Sequence, residues 1–214
     1  MTELEVQPRT LWMLDCFCGL GGVSDGFSME GFDVLGIDIE DMSSKGYKHK
    51  FLRADIRDLK GEDYRGYDVI WGSPPCRDFS TIGRLYGKKW KIPPNPERGL
   101  ILVKALLKFV DDAKPRIWVM ENVVGLKKHL QELEPRTETY ITCGKKHVFY
   151  GNYPLFLMPR DMRIKIRTTI KGRDQPNYLI PSQKTHKLRS WVFAKIPLSC
   201  SRAFARACKE ALLK

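Results

Sequence analysis

Five short apolar runs, Leu11–Phe17, Phe32–Ile37, Phe51–Ile56, Tyr67–Trp71 and Arg116–Met120, recur along the chain with helical or turn-rich stretches between them. Strands that are apolar nearly throughout, rather than alternately, belong in a sheet covered on both faces, and helical segments between them supply the cover. The pattern predicts an α/β fold, a doubly wound and mainly parallel sheet with helices on both faces. The connecting helices are predicted over Val23–Glu30, where Val23, Phe27 and Met29 are roughly helically spaced, and over Leu100–Val110. A closing amphipathic helix is expected over Ser199–Leu213, with Ser199 or Ser201 as its N-cap.

The ends of these runs are chemically unusual. The run at Tyr67–Trp71 stops in Gly-Ser-Pro-Pro, and neither proline can donate a ladder hydrogen bond, so the backbone leaves the sheet there and sets Cys76 on a stiff turn. A lone cysteine is more often an inert core residue, and it is the neighbours that argue otherwise. Leu11–Phe17 breaks into Cys18-Gly-Leu-Gly-Gly22, a strand-to-helix turn whose glycines let the backbone approach a ligand and leave N–H groups free. Glycine is also common in tight turns that bind nothing. Phe32–Ile37 ends in Asp38-Ile-Glu40, at the distance past a glycine turn where an acid suits ribose hydroxyls, although a surface acid near a turn looks the same. Asp55 and Glu121 end two further runs. Ligands of open α/β sheets bind beyond the carboxyl ends of the strands, so this recurrence points to a single cleft.

The chain carries 37 Lys and Arg against 25 Asp and Glu, a formal charge of +12, which favours a polyanionic partner over a merely soluble surface because aromatic residues lie among the basic ones at 84–91 and 145–193. Six cysteines without a CxxC pair indicate neither a zinc site nor a disulfide framework, and a reducing cytoplasm is expected. No run approaches the length of a bilayer span, so no membrane partner is expected.

Residues 81–97 read as a long loop directly after the thiol, and Val124–Glu134 as a short helix stopped by Pro135. Tyr140–Cys143 and His147–Tyr150 suggest a hairpin, Arg163–Ile170 alternates between apolar and cationic positions, and 171–190 has no clear period and is rich in basic residues. The expected division is a catalytic domain over 1–138 and 191–214, with a small, irregular, basic target-recognition lobe over 139–190.

Asp15-Cys-Phe-Cys-Gly-Leu-Gly-Gly22, Pro74-Pro-Cys-Arg-Asp-Phe-Ser80 and Glu121-Asn-Val123, in that order and at these spacings, resemble the cytosine-C5 DNA methyltransferase family in a compact, phage-type or prokaryotic form. The resemblance covers residues 11–124 well and 191–213 loosely. It implies a sheet of the S-adenosylmethionine-dependent methyltransferase, Rossmann-like type. It further implies S-adenosylmethionine as cofactor, held by Phe17, Cys18, Gly19, Gly21 and Gly22, with Asp38 or Glu40 at the ribose, Asp55 and Ile56 at the adenine, and Pro74 nearby. In the same pattern Cys76 is the nucleophile, Glu121 the acid that works on the base and Asn122 the residue that holds the nucleophile loop. The stretch from Ala194 to Pro197 looks like the family's last motif. The Gln-x-Arg-x-Arg segment is absent, and Lys145 with His147, or Arg163 with Lys165, are its candidate replacements as substrate-binding residues.

The chemistry is coherent without the name. Carbon 5 of cytosine takes a methyl group only after a thiolate has added at carbon 6, and that addition needs a proton or hydrogen bond at ring nitrogen 3. A base inside a duplex must be flipped out before either can happen. DNA is the preferred partner, with RNA as the alternative because the recognition region is short and structured RNA can be read by shape. An oligomer or partner subunit would compensate for that shortness. A catalytically impaired basic binding homologue leaves Cys76 and Glu121 without a reason, and a dinucleotide oxidoreductase explains the glycine turn and Asp38 only.

Overall fold

A computed structural model describes residues 9–80, 93–129, 138–142, 146–156 and 195–214, with the backbone alone at 138–142 and 146. In chain order the main elements are β1 (Leu11–Cys16), α1 (Gly22–Met29), β2 (Phe32–Asp38), β3 (Lys50–Arg53), β4 (Val69–Gly72), α2 (Pro96–Ala113), β5 (Ile117–Val123), β6 (Glu138–Thr142), β7 (Lys146–Asn152) and α3 (Leu198–Leu212). One seven-stranded sheet runs in the order β3-β2-β1-β4-β5-β7-β6. β1 to β5 are mutually parallel, and β7 lies antiparallel between β5 and β6. This is the doubly wound α/β sheet that the apolar runs predict. No helix among the described residues is long and apolar enough to cross a membrane, and no metal-holding cluster of His, Cys, Asp or Glu occurs among them.

All four residues of β4 are buried, because helices cover both of its faces. Ile70, with Leu14 and Met120, packs under Val103, Leu106, Phe109 and Val110 of α2. Val69 and Trp71, with Met13, Val34, Val119 and Phe149, pack under Phe27 of α1 and Phe204 and Cys208 of α3. α2 begins at Pro96 rather than at Leu100, because Asn95 accepts a hydrogen bond from Arg98 N and a proline is well suited to the first helical position.

Four expectations change. The hairpin expected near 140–150 is present, but it forms the two outer strands of the main sheet, so any separate lobe starts beyond Asn152. The segment after β5 is a 3-10 turn over Val124–His129 rather than an α-helix; a side chain at Gly125 would stand 1.9 Å from the Phe79 carbonyl oxygen, and that backbone approach fixes the local path. Neither Ser199 nor Ser201 caps α3. Its N-cap is Pro197, while Ser201 is buried and donates to the Leu198 carbonyl. β3 stops at Arg53, and Asp55 instead caps the short turn Ile56–Asp58 by accepting from Arg57 N. Lys145, the stretch Arg163–Ile170 with Arg163 and Lys165, residues 171–190 and most of the 81–97 loop lie outside the described residues.

The α1–α3 contact joins sequence positions far apart. Glu30 pairs with Arg202 at 2.9 Å and Arg206 at 3.0 Å, and its carbonyl accepts from Lys209. Gly26 makes the approach close enough: a Cβ there would lie 2.2 Å from Ser201 Oγ and 2.6 Å from its backbone carbon. Gly26→Ala should therefore destabilise the protein by about 2 kcal/mol, against the helix propensity that favours alanine. Urea unfolding followed by circular dichroism measures it, and an unchanged or raised midpoint would refute the close-packing account.

Candidate active site

The turn between β1 and α1 is wound through positive φ at Phe17 (61°), Gly19 (49°) and Gly21 (75°). Positive φ is unusual for an aromatic residue and marks a backbone held by its surroundings. Those surroundings are visible. Cys18 N donates to the Ile37 carbonyl at 3.0 Å, and Asp38 accepts from Gly19 N and from Glu40 N, each at 3.1 Å. Asp38 thus ties the glycine turn to the end of β2. Nothing within 4 Å would meet a side chain at Gly19, so the turn faces open space there.

Beneath the turn lies Asp15, 2% exposed, whose Oδ2 accepts from Ser24 N at 3.2 Å and Ser24 Oγ at 2.5 Å. Ser24 Oγ in turn meets the Tyr47 hydroxyl at 2.8 Å. Ser24 is in the first turn of α1, so a protein carboxyl group already takes an N–H at the anion-favouring end of that helix. Burial pushes Asp15 up to about 7. Burial also raises Asp38, and it lifts the thiols of Cys16 and Cys18 well above the ordinary range. Cys18 packs with Met42 and Tyr47 as part of a small core.

The remaining cofactor candidates occupy the neighbouring strand ends. Glu40 stands beside Lys45 at 2.7 Å, and both side chains are partly exposed. Asp55 accepts from the Arg57 guanidinium at 2.9 and 2.5 Å, and these bonds hold its carboxyl below the usual range. Ile56 is buried.

Past β4 the nucleophile loop is pinned from several directions. Ser73 N donates to the Cys16 carbonyl, and Trp71 Nε1 donates to Ser73 Oγ at 3.0 Å. Asn122, fully buried, donates from Nδ2 to the Pro74 carbonyl at 2.9 Å and accepts from Val123 N at 2.9 Å. Cys76, partly exposed and outside any disulfide, leads into the turn Arg77–Phe79. Asp78 accepts from Asn95 N and the Arg98 guanidinium, and Phe79 is buried against Gly99.

Glu121 lies one residue beyond the β4-paired Met120 and is 8% exposed. His147, 7% exposed, reaches it from β7, with Nδ1 2.5 Å from Glu121 Oε1. The fold therefore gathers Cys76, Glu121, Asn122 and His147 at the carboxyl ends of β4 and β5, and Phe17–Gly22, Asp38, Glu40 and Asp55 at those of β1 to β3. Sequence reasoning missed three contacts: the Asp15–Ser24–Tyr47 chain, the Asp78–Arg98 clamp and the pairing of His147 with Glu121. Only the first had a local signal, an acid placed just before the glycine turn.

Because the folded state favours the protonated form of Asp15, its contribution to stability falls as pH rises from 3.8 towards about 7. Asp15→Asn removes that dependence. The difference in Tm, variant minus wild type, should widen by about 5 °C between about pH 5 and about pH 8 in thermal melts. A constant difference would show that Asp15 titrates as an ordinary acid.

The family model described as C-5 cytosine-specific DNA methylase matches residues 11–149. Type II methyltransferase M.XorII of Xanthomonas oryzae pv. oryzae is 30% identical over 192 residues, covering 80% of this chain and 43% of that protein. Type II methyltransferase M.FnuDI of Fusobacterium nucleatum is 30% identical over 119 residues, 53% of this chain and 33% of its own. Among solved structures, a chain described as a prophage-encoded DNA modification methyltransferase of E. coli superposes with a TM-score of 0.50 at 19% identity, covering 66% of this chain and 46% of that one. The chain thus spans less than half the length of these relatives. With the matched region covering more than half of its residues, including both pinned loops and the strand that carries Glu121, the chain belongs to the C-5 cytosine-specific DNA methylase family.

Proposed function

We propose that the protein transfers a methyl group from S-adenosylmethionine to carbon 5 of cytosine in DNA, through a covalent adduct between Cys76 and carbon 6 of the base. The observation that carries this reading is the hydrogen bond from Asn122 to the Pro74 carbonyl, which locks the Cys76 loop to the strand end bearing Glu121. A thiol and a carboxyl fixed on neighbouring parallel strand ends can work on one ring from two sides.

S-adenosylmethionine is the family's cofactor, and when bound it supplies an electrophilic methyl group on a sulfonium. The turn at Phe17–Gly22 fits a cation of this kind better than a pyrophosphate. The first turn of α1 is already bonded to the Asp15 carboxylate, and Asp38 and Glu40 line the neighbouring strand end. A phosphate would find the Ser24 N–H already taken by Asp15, where a dinucleotide site offers free N–H groups.

In the reaction, the Cys76 thiolate forms a bond to carbon 6, and the electron pair of the ring double bond becomes available at carbon 5. Glu121 supplies a proton to nitrogen 3, so the ring does not carry the added negative charge. After methyl transfer the carbon-5 proton leaves to solvent, the carbon–sulfur bond breaks with re-formation of the double bond, and nitrogen 3 returns its proton to Glu121. Asn122 contributes rigidity rather than charge. The net charge of +12 supports a nucleic-acid partner, with Lys145, Arg163 and Lys165 as proposed phosphate contacts.

DNA containing 5-fluorocytosine should trap the wild-type protein as an adduct that resists denaturant, because fluorine blocks the elimination. Cys76→Ser should bind S-adenosylhomocysteine normally yet form no adduct, since a hydroxyl is a far weaker nucleophile near neutral pH. Glu121→Gln should form it about 100-fold more slowly. Bisulfite sequencing of DNA and total RNA incubated with protein and cofactor reads out the polymer, and product confined to RNA would replace DNA as the substrate. An adduct at Cys16, Cys18 or Cys143 would remove Cys76 from the mechanism.

A further inference from the structure

We propose that Glu121 and His147 form a proton-holding pair, with His147 as the positioning residue that keeps one exchangeable proton beside the base. The inference rests on the proposed reaction and concerns what supplies its proton. The two residues are each more than nine-tenths buried, and Nδ1 stands 2.5 Å from Oε1, bonding distance for a single shared hydrogen. A carboxylate facing a lysine or arginine has its charge balanced permanently and gives up its proton early. An imidazole differs because it exists in two charge states near neutrality. With one proton between them, the pair is either imidazolium with carboxylate or neutral imidazole with carboxylic acid. Both forms are neutral overall, so moving the proton to Glu121 leaves no net charge in the buried site.

The balance of the step follows. When the Cys76 thiolate bonds to carbon 6, the added negative charge is neutralised by the proton that passes from Glu121 to nitrogen 3. The pair is left as carboxylate and neutral imidazole, carrying the charge that the thiolate has lost. When the carbon–sulfur bond later breaks, the proton returns from nitrogen 3 to Glu121. No other proton source is needed for the addition.

The surroundings favour retention of that proton. Across β6 the residue opposite His147 is Ile141, which cannot titrate. On β5 the adjacent Asn122 is committed to Pro74 O and Val123 N. The 3-10 turn that packs on both strands carries Lys127 and Lys128, which are exposed, and His129, whose ring lies against Phe79. Lys146 precedes His147 on β7. Thus, among the described residues, Glu121 and His147 are the two titratable side chains that bond to each other at this point.

The rate of adduct formation with 5-fluorocytosine DNA, measured against pH, tests the proposal. Wild type should lose rate on the alkaline side as the pair gives up its proton. His147→Gln keeps an amide donor for Glu121 but has no ring nitrogen that can take up and release a proton. It should react about 100-fold more slowly, with that alkaline limb gone, while binding S-adenosylhomocysteine as wild type does. A histidine that merely braced Glu121 would be rescued by glutamine, so a His147→Gln variant with wild-type rate and pH profile overturns the proposal alone. Failure of wild type to form any adduct overturns the proposed reaction and this inference together. NMR titration of wild-type protein labelled at histidine nitrogen gives a check that needs no variant: the His147 imidazole should titrate in step with the rate, and titration at a different pH overturns the pair.

Discussion

The hydrogen bond between the Asn122 amide and the Pro74 carbonyl is the tie on which the arrangement of the site depends. Two consecutive prolines take the chain out of the sheet after β4 and remove the N–H groups that might have anchored the next turn. The carbonyl is what remains for a neighbour to hold. A fully buried side chain on the adjacent strand holds it, and spends its other atom on its own backbone at Val123 N. An amide is well suited to this because it donates and accepts without charge, so nothing must be ionised in a dry place. The position of Cys76 relative to Glu121 is thereby set by the spacing of two paired strands.

At the other end of the cleft the electrostatics separate two ligand classes that share a glycine turn. Glycine and a helix start are common to dinucleotide and methyl-donor sites, and the turn alone does not distinguish them. The buried Asp15 does. Its carboxyl group takes the Ser24 N–H at the start of α1 that a phosphate would need, and Asp38 bonds the turn backbone at Gly19 N. Of the two acids expected at the ribose, Asp38 bonds Gly19 N and Glu40 N, and Glu40 has a side chain 35% exposed beside Lys45.

Much of this was legible in the chain itself, because parallel strands covered on both faces leave a direct trace in sequence. β4 reads as an unbroken apolar run and is buried at every position. The prolines, the acids at strand ends and the glycine turn are likewise local facts. What could not be read was set by pairing between distant segments. The hairpin at 138–152 has ordinary hairpin patterning, and nothing local says that it joins the sheet beside β5. That register alone brings His147 to Glu121. Asp78 and Arg98 each look like surface charges until the turn after Cys76 and the start of α2 come together. The false serine cap of α3 has a similar cause: Ser201 is needed against Gly26, and a tertiary contact outweighed a terminal preference.

The close seating of α3 on α1 has a consequence for synthesis. The helix that follows the glycine turn has its outer face covered by residues 195–212, and its terminal carboxylate at Glu30 is neutralised by arginines more than 170 positions later. While the chain is emerging from the ribosome, β1, α1 and β2 can pair, yet the apolar face of α1 stays exposed until Leu212 has been made and released from the exit tunnel. The glycine turn that leads into α1 thus precedes the residues that support its helix by more than 170 positions.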